Sequence, residues 1–490
     1  MSADTPKARL SFLSTDKLEL LALFRAQSAR EAQCIRKLDR GGGKSPPRFP
    51  LSWSQERLWL ADRVEGGRAG YIAPMAVRFH GPMEPSRLQA ALEVAVQRHE
   101  SLRTVFVTVD GVPMQEVKPD MRCMLRVIDL TKFIGREQEE MVRQHRMEEV
   151  RQGFDLRSGP LIRVQLHRLK VEEHLLVVTM HHIIADGWSL GVFLRDLAEV
   201  YAASLAQRQA CLPPLSIHYA DYAHWQRQRW SHGEELEKQL SYWKGRLAGA
   251  AVTLSLPTDR PRTAHPSHAG ETLNIILNTR LTAQLKRFAQ VRGITLFMTL
   301  CAALSVLLAT LTGQEDIVIS TPVANRARRE LEPLIGLFVN MLLLRVNIHR
   351  EMLVDGLIEQ IKLVTLGAYD HHEVPYEKVA HILQPCAESS GSFPHVTFVL
   401  HNEPAPALDI PNVSTSIESE VDEPSINDLW ISLEERDAKL VGYVNYASEL
   451  FDRSTVSRWM SDLSAILDLM TQGMQGKVLD LAERMMQQCR

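Results

Sequence analysis

Apolar positions along this chain follow two periods, and the change from one to the other is sharpest near residue 181. The run His174-Leu175-Leu176-Val177-Val178-Thr179-Met180 is short, apolar and rich in β-branched residues, the pattern of a strand covered on both faces. Beyond Gly187, the residues Leu190, Phe193, Leu194, Leu197, Val200 and Tyr201 recur at helical spacing, with Ser189 as the expected N-cap. The pattern predicts strand, loop and helix, and it places His181-His182-Ile183-Ile184-Ala185-Asp186-Gly187 in the loop.

Residues 294–311 carry no charge and are long enough to raise the question of a membrane span. Thr295, Thr299, Ser305 and Thr310 interrupt the run, and Gly313-Gln314-Glu315-Asp316 leads directly into the strand-like Ile317-Val318-Ile319. A buried core helix is therefore expected, with no membrane contact. Ser14 to Leu38 reads as a helix with Leu18, Leu21 and Phe24 near one face. Gly41-Gly42-Gly43-Lys44-Ser45 resembles the end of a phosphate loop, but its first glycine would fall at Leu38 and Pro46-Pro47 prevents an immediate helix, so it reads as a linker.

At 490 residues, 45% of them hydrophobic, the chain is too long for one ordinary domain, and two lobes are expected. A Pro-rich stretch from Leu256 through Pro257, Pro261 and Pro266 to Gly270 marks the connection. The expected division is a helical segment and linker over 1–47, a first lobe over 48–256, a connection over 257–270 and a second lobe over 271–480. A net charge of -3 without a basic tract points away from nucleic acid. Cys34, Cys123, Cys211, Cys301, Cys386 and Cys489 are scattered, and the N-terminus lacks a secretory pattern, so reduced thiols in a cytoplasmic protein are expected.

Neighbouring side chains on extended backbone point to opposite sides, so only one of His181 and His182 can face a given cavity. An imidazole near its ordinary pKa accepts a proton at neutral pH, and the Gly187 N–H at a helix start could face a developing oxyanion. Glycine also admits a substrate closely. From these residues alone a His pair with a purely structural role stays open beside the catalytic reading. No metal is expected, because adjacent histidines do not readily share one ion and no third ligand stands at metal-binding spacing. Neither a Gly-x-Ser-x-Gly elbow nor an H-E-x-x-H motif is present, so a covalent acyl-enzyme is not suggested.

His-His-x-x-x-Asp-Gly followed by Trp188 and Ser189 resembles the core motif of nonribosomal peptide synthetase condensation domains, a family related in fold to chloramphenicol acetyltransferase. Further stretches follow in the family's order. Leu51-Ser52-Trp53-Ser54-Gln55-Glu56-Arg57-Leu58-Trp59 is similar to the opening motif. Arg98-His99-Glu100-Ser101-Leu102-Arg103-Thr104-Val105-Phe106 is similar to the second, and Tyr219-Ala220-Asp221-Tyr222-Ala223-His224-Trp225 to the fourth. Ile335-Gly336-Leu337-Phe338-Val339-Asn340 and His371-His372-Glu373-Val374-Pro375-Tyr376-Glu377 resemble the fifth and sixth. The likeness runs from about residue 48 to 475, while Ser389 to Val396 keeps little of the family's Arg-Asp-x-Ser-Arg-x-Pro-Leu-Phe-Gln segment.

The resemblance implies an α/β fold of two acetyltransferase-like lobes in a V with a substrate tunnel between them. It makes His182 the catalytic imidazole and His181 a scaffold, with Gly187 supporting the loop and Asp186 structural through an ion pair with Arg98. Trp188, Ser189 and Asn340 become possible tunnel contacts, although an Asn within the apolar run of residues 338–344 is better suited to bonding nearby backbone, and Trp225 to packing.

The implied reaction moves an acyl or peptidyl group from the phosphopantetheine thioester of a donor carrier protein to an amine or hydroxyl acceptor, itself carrier-bound or free. The chain would hold no cofactor of its own and act as a monomer. It ends at Arg490 without an adenylation or carrier segment, so as a full gene product it would act in trans, and Ser14 to Leu38 resembles the linker to an upstream carrier. The wording of the core motif is closest to domains taking an L-configured or achiral donor. His181 argues against heterocyclisation, and epimerisation relatives keep the pair. The alternative is a non-catalytic relative that recruits partners to carrier-bound chains.

Overall fold

The computed structural model describes residues 34–478 apart from 42–45, 66–70, 252, 264–267, 384–393, 402–407, 419–423 and 473–475. The helix expected from Ser14 lies outside the described residues except for 34–38, which are not helical. Most of the divergent Ser389–Val396 stretch lies outside as well.

The first half runs β1 (Arg48–Pro50), α1 (Trp53–Glu65), β2 (Ile72–His80), α2 (Pro85–Arg98), β3 (Thr104–Val109), β4 (Val112–Val117), β5 (Leu125–Asp129), α3 (Arg136–Arg151), β6 (Ile162–Lys170), β7 (Glu173–His181), α4 (Gly187–Leu205), α5 (Tyr219–Arg229) and α6 (Glu234–Leu247). The second runs β8 (Gly270–Leu277), α7 (Thr279–Arg292), α8 (Leu296–Thr312), β9 (Asp316–Val323), β10 (Asn340–Asn347), α9 (Val354–Asp370), α10 (Tyr376–Leu383), β11 (Val396–His401), β12 (Ser414–Glu418), β13 (Leu429–Arg436), β14 (Lys439–Ala447) and α11 (Arg453–Thr471).

Mixed α/β architecture is as expected, with one large sheet for each half. The first has strand order β12-β2-β7-β6-β5 and the second β10-β9-β11-β13-β14-β8. Strand β7 lies inside its sheet between β2 and β6, with Ile72 opposite His181 and Val164 opposite Val178. Its apolar run is buried from His174 to His181, which is why it carries no alternation of polar residues.

Sequence position does not divide the packing cleanly. Strand β12, from the second half, pairs antiparallel with β2 in the first sheet, and ion pairs fasten it: Arg78 Nη1 to Glu173 at 2.6 Å, Arg78 Nη2 to Glu418 at 2.5 Å, and Arg146 to Glu418 at 3.1 Å. Leu331, Leu334, Ile335, Leu337 and Phe338 also pack into the first-half core. In the other direction, Trp230, Leu236, Trp243, Leu247, Leu254 and Leu256 belong to the second-half core. Segments of each expected lobe, 48–256 and 271–480, therefore pack with the other.

Helix α8 realises the uncharged run. Thr295 caps it, its side chain accepting from Met298 N, and Phe297 through Ala309 are all buried, so the helix is apolar all round because protein covers it all round. Among the described residues no single helix is long and apolar enough to cross a membrane.

Candidate active site

Strand β7 delivers His181 and His182 to the edge of the sheet, where the backbone turns through a short 3-10 segment, His182–Ile184. The Ile183 N–H donates to His181 Nδ1 at 3.0 Å, so that nitrogen carries no proton and the ring caps the turn. Phe154 packs edge-on against the same ring. Burial and the neighbouring His182 push the His181 pKa down to about 3. His181 is therefore neutral, with Nδ1 committed to the backbone of the turn.

His182 is placed differently. Its Nδ1 lies 3.3 Å from the carbonyl oxygen of Ala185, and a carbonyl can only accept, so Nδ1 carries the proton and Nε2 presents a lone pair. The side chain keeps partial solvent access. Desolvation lowers its pKa, with Arg57 acting in the same direction, while the Ala185 hydrogen bond and Asp186 oppose the shift. The ring is therefore a neutral base at pH 7, oriented by backbone.

Helix α1 supports the turn from one side. Gln55 Nε2 donates to Ile183 O at 3.1 Å, and Gln55 Oε1 accepts from Ser52 N at 3.0 Å. Helix α4 starts from the other side at Gly187, where an added Cβ would meet nothing within 4 Å, so the helix start faces open space.

Asp186, and not Ser189, is the N-cap of α4. Its Oδ1 accepts from Ser189 N at 2.9 Å, from Ser189 Oγ at 2.6 Å and from Arg326 Nη2 at 3.0 Å. Its Oδ2 accepts from the backbone N–H groups of Phe338 and Val339 at 3.0 and 3.2 Å. Asp186 is 3% exposed, and with five donors it has no capacity left for proton transfer.

The cation paired with Asp186 is not the expected Arg98. Arg98 lies instead against Asp196, ten residues further along α4, with Nε 2.8 Å from Oδ2, and it also donates to Pro213 O at 2.7 Å. His99 Nε2 shares the same Asp196 oxygen at 2.8 Å. The cation on Asp186 is Arg326, whose Nη1 donates to Leu331 O and Leu334 O and whose guanidinium lies 4.1 Å from the centre of the Phe338 ring. None of the family-like motifs contains Arg326, and neither periodicity nor spacing marks it.

Ser189, a possible tunnel contact by the resemblance, bonds within the protein, and so does Asn340, which bonds nearby backbone. Ser189 is fully buried, and its Oγ accepts from Gly336 N and Arg326 Nη2, both at 3.0 Å. Gly336 itself must be glycine, because a Cβ there would run into the Tyr219 ring. Asn340 Nδ2 donates to His372 O and Val374 O at 2.7 and 2.8 Å, and its Oδ1 accepts from Tyr376 N at 2.9 Å. Trp188 Nε1 donates to Glu332 O at 2.9 Å, which ties the start of α4 to the same second-half segment. Trp225 packs beside Tyr222.

Among the described residues no group of three or more His, Cys, Asp or Glu is placed to hold a metal ion. The framework places four of the motif-like stretches around the His182 turn: the opening one through Gln55, the core motif through Asp186 and Ser189, the fifth through residues 336–340 and the sixth through the loop that Asn340 holds. Residues 47–483 match the family model described as the condensation domain.

The chain belongs to the condensation domain family.

Over 425 residues this condensation domain is 38% identical to malpinin synthetase of Mortierella alpina, a match over 86% of this chain and 5% of that protein. It is also 38% identical over 424 residues to a linear gramicidin synthase of Brevibacillus parabrevis, 86% of this chain and 8% of that one. The chain thus spans a small part of the length of these relatives. The crystal structure of the X-domain from teicoplanin biosynthesis aligns with a TM-score of 0.82 at 29% identity, covering 91% of this chain and 99% of that chain. The same X-domain in complex with OxyB aligns with a TM-score of 0.78, also at 29% identity, over 91% and 98%.

The buried histidines predict how stability depends on pH. His181 titrates near 3 and His167, hydrogen-bonded through Nε2 to Gln165 Oε1 and pushed down by burial, near 4, whereas both sit near 6.5 in the unfolded chain. The unfolded state therefore takes up these protons first as pH falls. Their contribution is complete above about pH 6.5 and is lost on descending toward pH 4 and 3. Urea titrations should give a lower midpoint at pH 5 than at pH 7.5, and His167→Gln should flatten that difference. An unchanged slope in the variant would refute the assignment.

Proposed function

We propose that this condensation domain transfers an acyl or peptidyl group from the phosphopantetheine thioester of a carrier protein to an amine or hydroxyl acceptor, with His182 as the general base. The observation that carries the reading is the orientation of His182: backbone fixes its Nδ1 proton, and Nε2 is left with a lone pair on a residue that is only partly buried. Asp186 and His181 are occupied elsewhere, which leaves His182 alone in the core motif with a usable lone pair.

The acceptor's neutral form attacks the thioester carbon, and His182 takes the proton that becomes acidic on bond formation. Alignment of the two reactants contributes more than the base, about 7 to 11 kcal/mol in well-oriented systems. Gly187, with nothing against its Cα, lets a substrate approach the start of α4.

A second reading has its own support. The X-domain relative is described in complex with OxyB, so a platform that receives a partner protein is a use of this fold. Intact-mass measurement of transfer between loaded donor and acceptor carriers separates the two. Transfer supports the enzyme. Absence of transfer with every loaded carrier, together with retained binding of a partner protein, makes the chain a platform.

A further inference from the structure

Two residues beyond Gln55 on α1 stands Arg57. Its Nε donates to Glu377 Oε1 at 3.0 Å, and its guanidinium lies 5.9 Å from the centre of the Tyr376 ring. Glu377 opens α10, and its position is set from the second half, because Tyr376 N donates to Asn340 Oδ1 while Asn340 Nδ2 holds the carbonyls of His372 and Val374. Arg57 is thus fixed by α1 on one side and by Asn340, the 372–376 loop and Glu377 on the other.

Its terminal amino groups remain available. Among the described residues neither has a hydrogen-bond partner, and the side chain is 40% exposed. The helix that carries them is anchored beside His182: α1 packs on the 3-10 turn His182–Ile184 and on α10. Tyr71 adjoins Ile72, which pairs with His181 at the strand end, and it too senses the Arg57 charge. At His182 that charge opposes protonation of the ring, against Asp186, which favours it. The packing of α1 on the turn therefore brings a planar cation with unclaimed donors to the neighbourhood of a neutral base.

Attack on a thioester generates charge in two places. The acceptor atom becomes positive and the carbonyl oxygen negative. A lone imidazole relieves the first and does nothing for the second, which needs donors aimed at the oxygen.

We propose that Arg57 binds the carbonyl oxygen of the donor thioester and stabilises the oxyanion formed on attack, with Glu377 and Asn340 as its positioning residues. The proposal rests on the transfer reading above. The acceptor's lone pair forms the new bond to the thioester carbon, and the C=O electron pair moves onto the oxygen beside Arg57. The acceptor's proton passes to His182 Nε2. Collapse re-forms the carbonyl and breaks the C–S bond, and the departing thiolate takes the proton from His182. Arg57 keeps its proton throughout.

Arg57→Gln alone would leave the Glu377 carboxylate without its cation, and Glu377 Oε2 is already buried without a partner. The test therefore uses Arg57→Gln combined with Glu377→Gln, beside Arg57→Lys and the wild type. The probes are donor carriers loaded with a panel of proteinogenic L-amino acids. Three readouts apply: kcat, KM for the donor carrier, and NMR titration of the His182 ring in histidine-labelled protein.

The double variant should lose about 10²- to 10³-fold in kcat, the range for removal of one oxyanion donor. Its KM should stay within about three-fold, since the interaction is made in the transition state. His182 should titrate at higher pH than in the wild type, and Arg57→Lys should fall between the two in kcat. A kcat within about five-fold of wild type, a loss confined to KM, or an unmoved His182 titration overturns the proposal. Wild-type protein that transfers nothing removes the transfer reading and this one together, whereas an active wild type with an equally active double variant removes this one alone.

Discussion

His182→Ala is expected to slow transfer to a hydroxyl acceptor by about 10³- to 10⁴-fold but transfer to an amine by about 10²-fold or less, the upper and lower parts of the range for a general base. The difference follows from the acceptors. An α-amine has a pKa near 8, so roughly a tenth is already neutral at pH 7, and His182 mainly orients it and collects a proton after attack. A hydroxyl is almost wholly protonated and becomes a competent nucleophile only as the base takes its proton. The His182 geometry makes the comparison clean, because Nδ1 is held by Ala185 O and no second imidazole has a lone pair to substitute: His181 Nδ1 accepts from Ile183 N. Initial rates with matched amine and alcohol acceptors on one donor carrier are the measurement. Equal losses for the two would show that His182 does not act as the base.

Asp186→Ala should cost about 3 to 5 kcal/mol of folding stability, the scale for breaking a buried ion pair by removing one partner. The loss has three sources. Helix α4 loses its cap, the Phe338 and Val339 N–H groups lose their acceptor, and Arg326, whose side chain is 1% exposed, is left as an uncompensated buried cation. Replacing Arg326 by Met in the same chain should recover part of it, because the stranded charge is then gone. Arg98→Ala should cost less and leave the His182 turn in place, since Arg98 engages Asp196 well along the helix. Urea titrations of the four proteins decide it. An Asp186→Ala loss below about 1 kcal/mol, or an equal loss from Arg98→Ala, would contradict the assignment of Arg326.

These two expectations differ in how much of them could be read from the chain. The strand from His174 and the helix after Gly187 follow from local periodicity, which burial on one face or two imposes on a sequence whatever lies elsewhere. Consecutive residues at a strand end face opposite ways, which predicts that His181 and His182 are placed differently, while the choice of His182 as the base comes from the resemblance alone. The motif-like stretches around Gln55, Gly336 and Asn340 mark where the chain closes on the loop, without saying which atoms meet. Asn340 as a backbone clamp was legible because a buried amide inside an apolar strand must satisfy its hydrogen bonds.

The partner of Asp186 was not legible. The chain has 56 Lys and Arg residues, and a buried carboxylate demands a cation without naming it. The choice between Arg98 and Arg326 depends on how α2 lies along α4 and on where residues 326–339 return, 140 positions after Asp186. Strand β12 is similar: its five residues carry little periodic signal, and only the open edge of β2 explains why they join the first sheet. The exchange of Trp230 to Leu256 into the second core likewise answers to complementary apolar surfaces, which one segment cannot specify alone.

The sequence by itself determined the α/β class and the strand–loop–helix frame, since each depends on the spacing of near neighbours, whereas only its resemblance to the family singled out His182. Tertiary structure alone decided that Arg326 neutralises Asp186 and that Arg57, pinned by Glu377, stands on a helix packed against the His182 turn. Both are meetings of charges from distant parts of the chain, and the energy of a charge pair depends on separation and solvent in space, to which distance along the sequence gives no access.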